Sequence, residues 1–334
     1  MAGPWRDIPY NLNAKRVWIA GHTGMVGSAL YWRLQLENCD ILTVSHDDLD
    51  LRDQAAVRDW GRRNKPDVII IAAAKVGGIM ANATYPASFF YDNIMITTNI
   101  LHSAYEVGVD RVLNLGSSCI YPKNCGQPIQ ESALLSGALE ETNEAYALAK
   151  IAGLKMASYY RAQYGCDFIS AMPCNLYGVG DRYDEQQSHV IPAMIMKAHK
   201  AKVQNAAELV LWGSGAPMRE FLYVDDLADA LVLLLQSYNG EAHVNVGSGE
   251  EIEIKKLSKI VCEVVGFKGK VVFDNTKPDG ARRKVLDNSM LMGVGWKPKM
   301  CLKDGISKCY EDYKGRNYGC GSNSENYTGV VGGL

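Results

Sequence analysis

At Arg16 the chain enters a run suited to a β-strand, Arg-Val-Trp-Ile-Ala, and leaves it through three glycines spaced by two residues, Gly21, Gly24 and Gly27. A helical pattern over residues 25–36 follows directly. Glycines at such a junction let the backbone approach a bound group closely, and the helix start offers unpaired N–H groups and the positive end of the helix dipole. Strand, glycine turn and helix in this order point to a parallel α/β sheet that holds a dinucleotide pyrophosphate. The spacing is G-x-x-G-x-x-G, not G-x-G-x-x-G, so position in the chain carries the argument more than the triplet itself.

The rest of the pattern agrees. Short apolar runs alternate with helix-length amphipathic stretches, as in βαβ units. Strands are predicted at 16–20, 40–45, 67–74, 111–116, 168–172 and 209–212, and helices at 55–64, 91–107, 144–164, 190–200 and 224–236. The runs at 67–74 and 111–116 are too uniformly apolar to keep a solvent face, which makes them central strands. The expected fold is α/β: a doubly wound parallel sheet of Rossmann type with a smaller C-terminal substrate lobe over its carboxyl edge. Residues 15–175 are expected to form mainly the dinucleotide domain and 176–314 mainly the lobe, with about 209–245 returning to the sheet. Glycine-rich 315–334 reads as a loose tail.

Composition narrows the function. With 35 Lys plus Arg against 37 Asp plus Glu the net charge is −2, so no global basic field recruits nucleic acid or an anionic membrane. No apolar run reaches the ~18 residues that span a bilayer, and the first fifteen residues lack a signal-peptide layout, so a cytoplasmic protein is expected. Nine cysteines without a C-x-x-C pair indicate free thiols, with no metal site.

Cofactor choice turns on the end of the second strand, Ser45-His46-Asp47-Asp48. A carboxylate there accepts from a ribose 2′-hydroxyl and a cation holds a 2′-phosphate; Asp47 favours NAD and His46 favours NADP, so the residues leave both open. Tyr146 and Lys150 stand one helical turn apart, and a lysine beside a phenol lowers its pKa and makes it a proton donor and acceptor for a carbonyl oxygen. A second such pair, Tyr310 and Lys314, is assigned to a solvated surface. Ser117, at the carboxyl end of a predicted central strand, can donate to the same oxygen as Tyr146. Read alone, Cys119 is a buried thiol, His189 a helix cap and Trp212 core packing.

G-x-x-G-x-x-G, Ser-Ser-x-x-Tyr at 117–121 and Tyr-x-x-x-Lys at 146–150 resemble the extended short-chain dehydrogenase/reductase family that acts on nucleotide sugars. The runs AAAKVGGI (72–79), LGSSCIYPK (115–123), NEAYALAKIAG (143–153), SHVIPA (188–193), WGSGAPMREF (212–221) and KPDG (277–280) are similar, more narrowly, to its GDP-L-fucose synthases. The resemblance covers about residues 15–312. It implies a 3,5-epimerase and NADPH-dependent 4-reductase of GDP-4-keto-6-deoxy-D-mannose, homodimeric through the helices at 91–107 and 144–164; the alternatives are the same chemistry on another GDP-4-keto sugar, of colitose or heptose type, or a dinucleotide-binding protein without turnover. It implies Ser117, Tyr146, Lys150, Cys119 and His189 as catalytic residues, the last two as an acid/base pair. Cofactor contacts are implied at Gly21, Thr23, Gly24, Met25, Val26, Gly27, His46, Leu51, Ala73, Leu115, Gly116, Lys150, Pro173, Asn175, Leu176 and His189, and substrate contacts at Lys197, Trp212, Arg219 and Asp279. Dehydratases of similar fold carry an Asp-Glu pair where Ser118 and Cys119 stand, which argues against elimination chemistry. The implied cofactor is NADP, with NAD as the alternative, because the family places a basic residue where His46 stands and often one near Thr23.

Overall fold

Alternation along β1 (Arg16–Ala20) organises the larger half of the molecule. Val17 and Ile19 pack with Leu30, Leu34 and Leu231, while Trp18 and Ala20 pack with Val57, Trp60 and Ile100. A strand buried on both faces needs helices on both. The computed structural model, which describes residues 3–184, 188–277 and 279–318, has that arrangement. The chain continues through α1 (Met25–Leu34), β2 (Asp40–Leu42), α2 (Gln54–Asn64), β3 (Val68–Ile71), α3 (Ile79–Thr84), α4 (Pro86–Val107), β4 (Arg111–Leu115), α5 (Glu144–Tyr164) and β5 (Asp167–Pro173). There follow β6 (Asn175–Tyr177), α6 (Val190–Val203), β7 (Glu208–Trp212), β8 (Met218–Tyr223), α7 (Val224–Ser237), β9 (Val244–Val246), β10 (Glu251–Glu253), α8 (Ile254–Val265), β11 (Lys270–Asp274), β12 (Arg283–Lys284), α9 (Ser289–Met292) and α10 (Leu302–Tyr318).

The main sheet has the order β2-β1-β3-β4-β5-β9, and every pairing in it is parallel. The chain leaves β1 toward β2 and returns on the other side as β3, so the switch point lies between β1 and β3, where open α/β sheets bind ligands beyond their carboxyl ends. A smaller set of strands, β6, β10 and β12 around β8 and the pair β7–β11, belongs to the C-terminal half. Its core gathers Ile191, Ile195, Leu211, Val261 and Ile306. The doubly wound sheet is as the sequence indicates, with β9 returning to its edge.

Local chemistry explains the boundaries. Asp53 caps α2 by accepting from the Ala56 N–H at 3.0 Å. α4 begins at Pro86, whose missing N–H is harmless in a first turn, five residues before the predicted start. α4 and α5 end at glycines in the left-handed region, Gly108 and Gly165. They approach closely because Gly153 faces Thr97: a Cβ at Gly153 would lie 2.5 Å from Thr97 Cγ2. β2 is shorter than predicted because the polar stretch from Ser45 to Asp48 turns back on itself, with Ser45 Oγ donating to Asp48 Oδ2 at 2.6 Å.

Two expectations are corrected near the C-terminus. Tyr310 is buried in the second core and shares a hydrogen bond with His199 Nδ1 at 2.9 Å, so of the Tyr310–Lys314 pair only the lysine is a surface group, bridged to Glu311 at 2.8 Å. The helix carrying it runs to Tyr318, into the segment read as a tail; residues 319–334 lie outside the described residues.

Arg111, at the start of β4, is fully buried and bonds Asp167, which also takes Arg6 at 2.5 Å and Arg161 at 3.0 Å. One carboxylate thus fastens the N-terminal segment, β4 and α5. Replacing Asp167 with Ala leaves a buried guanidinium uncompensated and should cost about 3 kcal/mol or more; Arg111→Met, which removes the charge itself, should cost less. Urea midpoints of the two variants check this, and equal midpoints would contradict it.

Candidate active site

β4 ends at Leu115, and the chain turns through a short 3-10 segment, Ser118–Ile120, that presents Ser117 and Cys119 beyond the sheet's carboxyl edge. Ser117 caps this turn, its Oγ accepting from the Cys119 N–H at 3.3 Å. α5 supplies Tyr146 and Lys150 from successive turns. Lys150 is buried, donates from Nζ to the Leu115 carbonyl at 2.9 Å and lies 5.9 Å from the centre of the Tyr146 ring. Burial lowers its pKa to about 8.

The phenol is not lowered as the sequence argument expects. Its depth in the protein pushes the Tyr146 pKa up, neighbouring Cys119 adds to this, and a hydrogen bond with Ser117 only partly opposes it. The ammonium is committed to the Leu115 carbonyl, and removal from water dominates. Tyr146 therefore rests protonated, the form needed to give a proton to a reduced oxygen.

His189 occupies the position before α6, yet its side chain makes no capping hydrogen bond, and its ring is open to the cleft. The protein enclosing that cleft holds the imidazole below its ordinary pKa. Eight residues earlier Asp181 is buried, with Oδ1 accepting from the Arg182 N–H at 2.7 Å and Oδ2 without a partner among the described residues; burial raises its pKa to about 7.

The facing wall comes from the C-terminal strands. Arg219 on β8 is half-buried and donates to the Met218 carbonyl at 2.8 Å; desolvation lowers its pKa, and Asp279 pulls it back up. Lys284 on β12 stands beside it in register and donates from Nζ to Cys119 Sγ at 3.6 Å. Trp212, read alone as core packing, is 57% exposed, with the ammonium groups of Lys197 and Lys277 at 5.1 and 5.6 Å from its ring centre. Asp279 accepts from the Ser214 N–H at 2.9 Å and hydroxyl at 2.6 Å, which fixes the turn after Trp212.

These groups meet in one cleft of about 3650 Å³, lined by Ser117, Cys119, Tyr146, Lys150, His189, Lys197, Trp212, Arg219 and Asp279. Gly24, Met25, Val26, Gly27, Leu115, Gly116, Pro173, Asn175 and Leu176 line it as well. A dinucleotide fits the glycine turn on structural grounds. α1 has no side-chain cap and no acidic residue in its first turn, so its N–H groups remain for an anion. A Cβ at Gly27 would lie 2.0 Å from the Gly21 carbonyl oxygen, and one at Gly21 2.6 Å from the Ala73 nitrogen, so Gly21 and Ala73 shape the cradle from behind. Thr23 and His46 are exposed, and Leu51 packs in the core beside α2 and α4; none of the three lines the cleft. Among the described residues no group of three or more His, Cys, Asp or Glu is placed to hold a metal.

Lys284, Lys277 and Asp181 escaped the sequence reading. Lys284 closes the basic run Arg282-Arg283-Lys284, which reads as a solvated charge cluster. Only the β8–β12 register turns it toward Cys119.

Lys150 carries a pH signature. Its ordinary pKa of 10.5 falls to about 8 in the fold. From pH 8 to 10.5 the unfolded chain binds a proton that the folded chain does not, so this lysine's penalty on stability is full below pH 8 and fades as pH rises. Lys150→Met should therefore exceed the wild type in thermal stability most at pH 7, with the gap closing toward pH 10. A gap that widens with pH would contradict the assignment.

Comparison with known proteins agrees with this architecture. Residues 17–247 match the model of the NAD dependent epimerase/dehydratase family. The chain is 52% identical over 304 residues to a GDP-L-fucose synthase of Sinorhizobium fredii, covering 91% of this chain and 97% of the relative. A GDP-L-fucose synthetase structure from Naegleria fowleri bound to NADP superposes with a TM-score of 0.84 at 28% identity, over 92% of this chain and 97% of that one. A GDP-6-OMe-4-keto-L-xylo-heptose reductase from C. jejuni superposes with a TM-score of 0.86 at 32% identity, over 92% and 100%. The chain belongs to the NAD dependent epimerase/dehydratase family.

Proposed function

We propose that the chain is a bifunctional enzyme that epimerises GDP-4-keto-6-deoxy-D-mannose at C3 and C5 and reduces C4 to give GDP-L-fucose, with NADPH as reductant. One observation carries this reading. A single cleft holds the Ser117, Tyr146, Lys150 set that a reductase needs and also Cys119 with His189, which reduction alone does not require.

The 4-keto group acidifies the protons on C3 and C5. Cys119 as thiolate takes one of them, and the electron pair passes to the keto oxygen, where Ser117 and Tyr146 hold the enolate by hydrogen bonds. His189 returns a proton to the opposite face, and loss of the thiol proton to solvent with uptake of one by His189 resets the pair for the second carbon; the two phosphate charges of the substrate favour the imidazolium that burial alone disfavours. Bound NADPH supplies the hydride for C4. Tyr146 gives its proton to the C4 oxygen, and Lys150 orients the phenol and the nicotinamide ribose. Arg219 and Lys197 neutralise the diphosphate, Trp212 offers a flat face to the base, and Asp279 fixes the turn beside it.

Residues 15–175 then carry mainly the cofactor and 176–314 mainly the sugar nucleotide; of the stretch 209–245 expected to return to the sheet, only α7 and the start of β9 do so, since β7 and β8 pair within the smaller strand set. The protein works in the cytoplasm on this small molecule, with no nucleic-acid or membrane partner; among the described residues no helix is long and apolar enough to cross a membrane. It works as a homodimer through α4 and α5, which expose Tyr91, Leu148, Tyr159 and Tyr164.

Absorbance at 340 nm with GDP-4-keto-6-deoxy-mannose tests the reading. NADPH should be oxidised faster than NADH, by a modest factor because His46 and Thr23 replace fixed cations, and the product should be GDP-L-fucose. Tyr146→Phe should slow oxidation about 100-fold or more, and Cys119→Ser should yield only unepimerised sugar. Turnover of a GDP-keto-heptose in place of the 6-deoxy sugar would move the assignment to the heptose reductases.

A further inference from the structure

We propose that Lys284 is a positioning residue that keeps Cys119 as the thiolate; the catalytic consequence rests on the function proposed above, while the charge contact itself does not. The ammonium donates to the sulfur at 3.6 Å, and among the described residues no carboxylate pairs with it. Its neighbour shows the contrast. Arg283 is exposed and forms a two-pronged pair with Glu251 at 2.7 and 2.9 Å, whereas strand alternation turns half-buried Lys284 inward.

The strand holding Lys284 is fixed on both sides. The Val285 N–H donates to Gln127 Oε1 at 3.0 Å and its carbonyl accepts from the Ile129 N–H at 2.8 Å, tying it to the segment after Cys119. The Leu286 N–H donates to Glu220 Oε2 at 2.9 Å, and fully buried Glu220 also accepts from the Gly249 N–H at 2.7 Å and Asn288 Nδ2 at 2.9 Å. Lys284 and Arg219 occupy one rung of the β8–β12 pair. The rung that holds the diphosphate thus also holds the base.

A cation beside a half-buried sulfur favours its ionised form, and the thiolate is the form that attacks and accepts protons. In the reaction the sulfur takes the α-proton and becomes a neutral thiol, the negative charge moves to the keto oxygen, and Lys284 keeps its own proton throughout.

Alkylation of the intact protein by iodoacetamide, without sugar, reads the thiolate directly. Peptide mass spectrometry separates Cys119 from Cys125, which also feels the Lys284 charge. Lys284→Met should slow Cys119 alkylation at pH 7 roughly fivefold or more and shift the rate profile to higher pH, while Lys284→Arg should restore most of the rate. Thermal melting identifies any variant that fails to fold, and Lys284→Gln then takes the place of Lys284→Met. Wild-type alkylation rates in the charge-removing variant across the pH range would overturn the proposal. So would a Lys284→Arg protein as slow as Lys284→Met, since packing rather than charge would then be responsible. Inactivity toward GDP-keto sugars would sink the proposed function and leave this result standing.

Discussion

The hydrogen bond from Lys150 to the Leu115 carbonyl joins the two elements on which the candidate site depends, the end of β4 and the first turns of α5. Everything on this side of the cleft is referred to that joint: Ser117 two residues past the carbonyl, Cys119 on the turn that follows, and Tyr146 one helical turn before the lysine. A buried ammonium is expensive, and the Leu115 carbonyl offsets only part of that cost, so the bond places the chemistry at the expense of stability. The phenol remains protonated for a different reason, its removal from water, which outweighs the hydrogen bond from Ser117.

The opposite wall is built differently. No single helix carries it; short strands around β8 do, held by the buried Glu220 carboxylate, which gathers three donors from two separate segments. Short paired strands place side chains at aligned rungs, which is how residues 65 positions apart, Arg219 and Lys284, come to face one cleft. The cofactor cradle follows a third principle. There the glycines matter for what they lack, because Gly21 and Gly27 have backbone where a Cβ would need to be.

How much of this could be read in advance follows from the range of the interactions. The strand, glycine turn and helix from Arg16 to Leu34, the apolar runs of β3 and β4, and the capped length of α5 are written in local periodicity and appear where expected. The early start of α4 at Pro86 was less legible, because the stretch from Gly77 to Tyr85 interrupts the pattern. Burial of Tyr310 was not legible at all, since α10 finds its partner His199 on α6, more than a hundred residues away. Lys284 sits in a run of three cations whose local reading is solvent exposure, and only a distant register turns it inward. Resemblance named Cys119 and His189, but the open face of His189 and the contact between Cys119 and Lys284 are properties of packing.

In the proposed function one cleft performs proton exchange beside a keto group and then reduces that group. Turning over GDP-4-keto-6-deoxy-mannose with NADPH in deuterated water, followed by NMR of the isolated product, tests it most directly. The expected product is GDP-L-fucose carrying solvent deuterium at both C3 and C5. A reduced sugar with its original configuration and no deuterium at either carbon would contradict it, leaving a reductase in which Cys119 and His189 have no part in proton transfer.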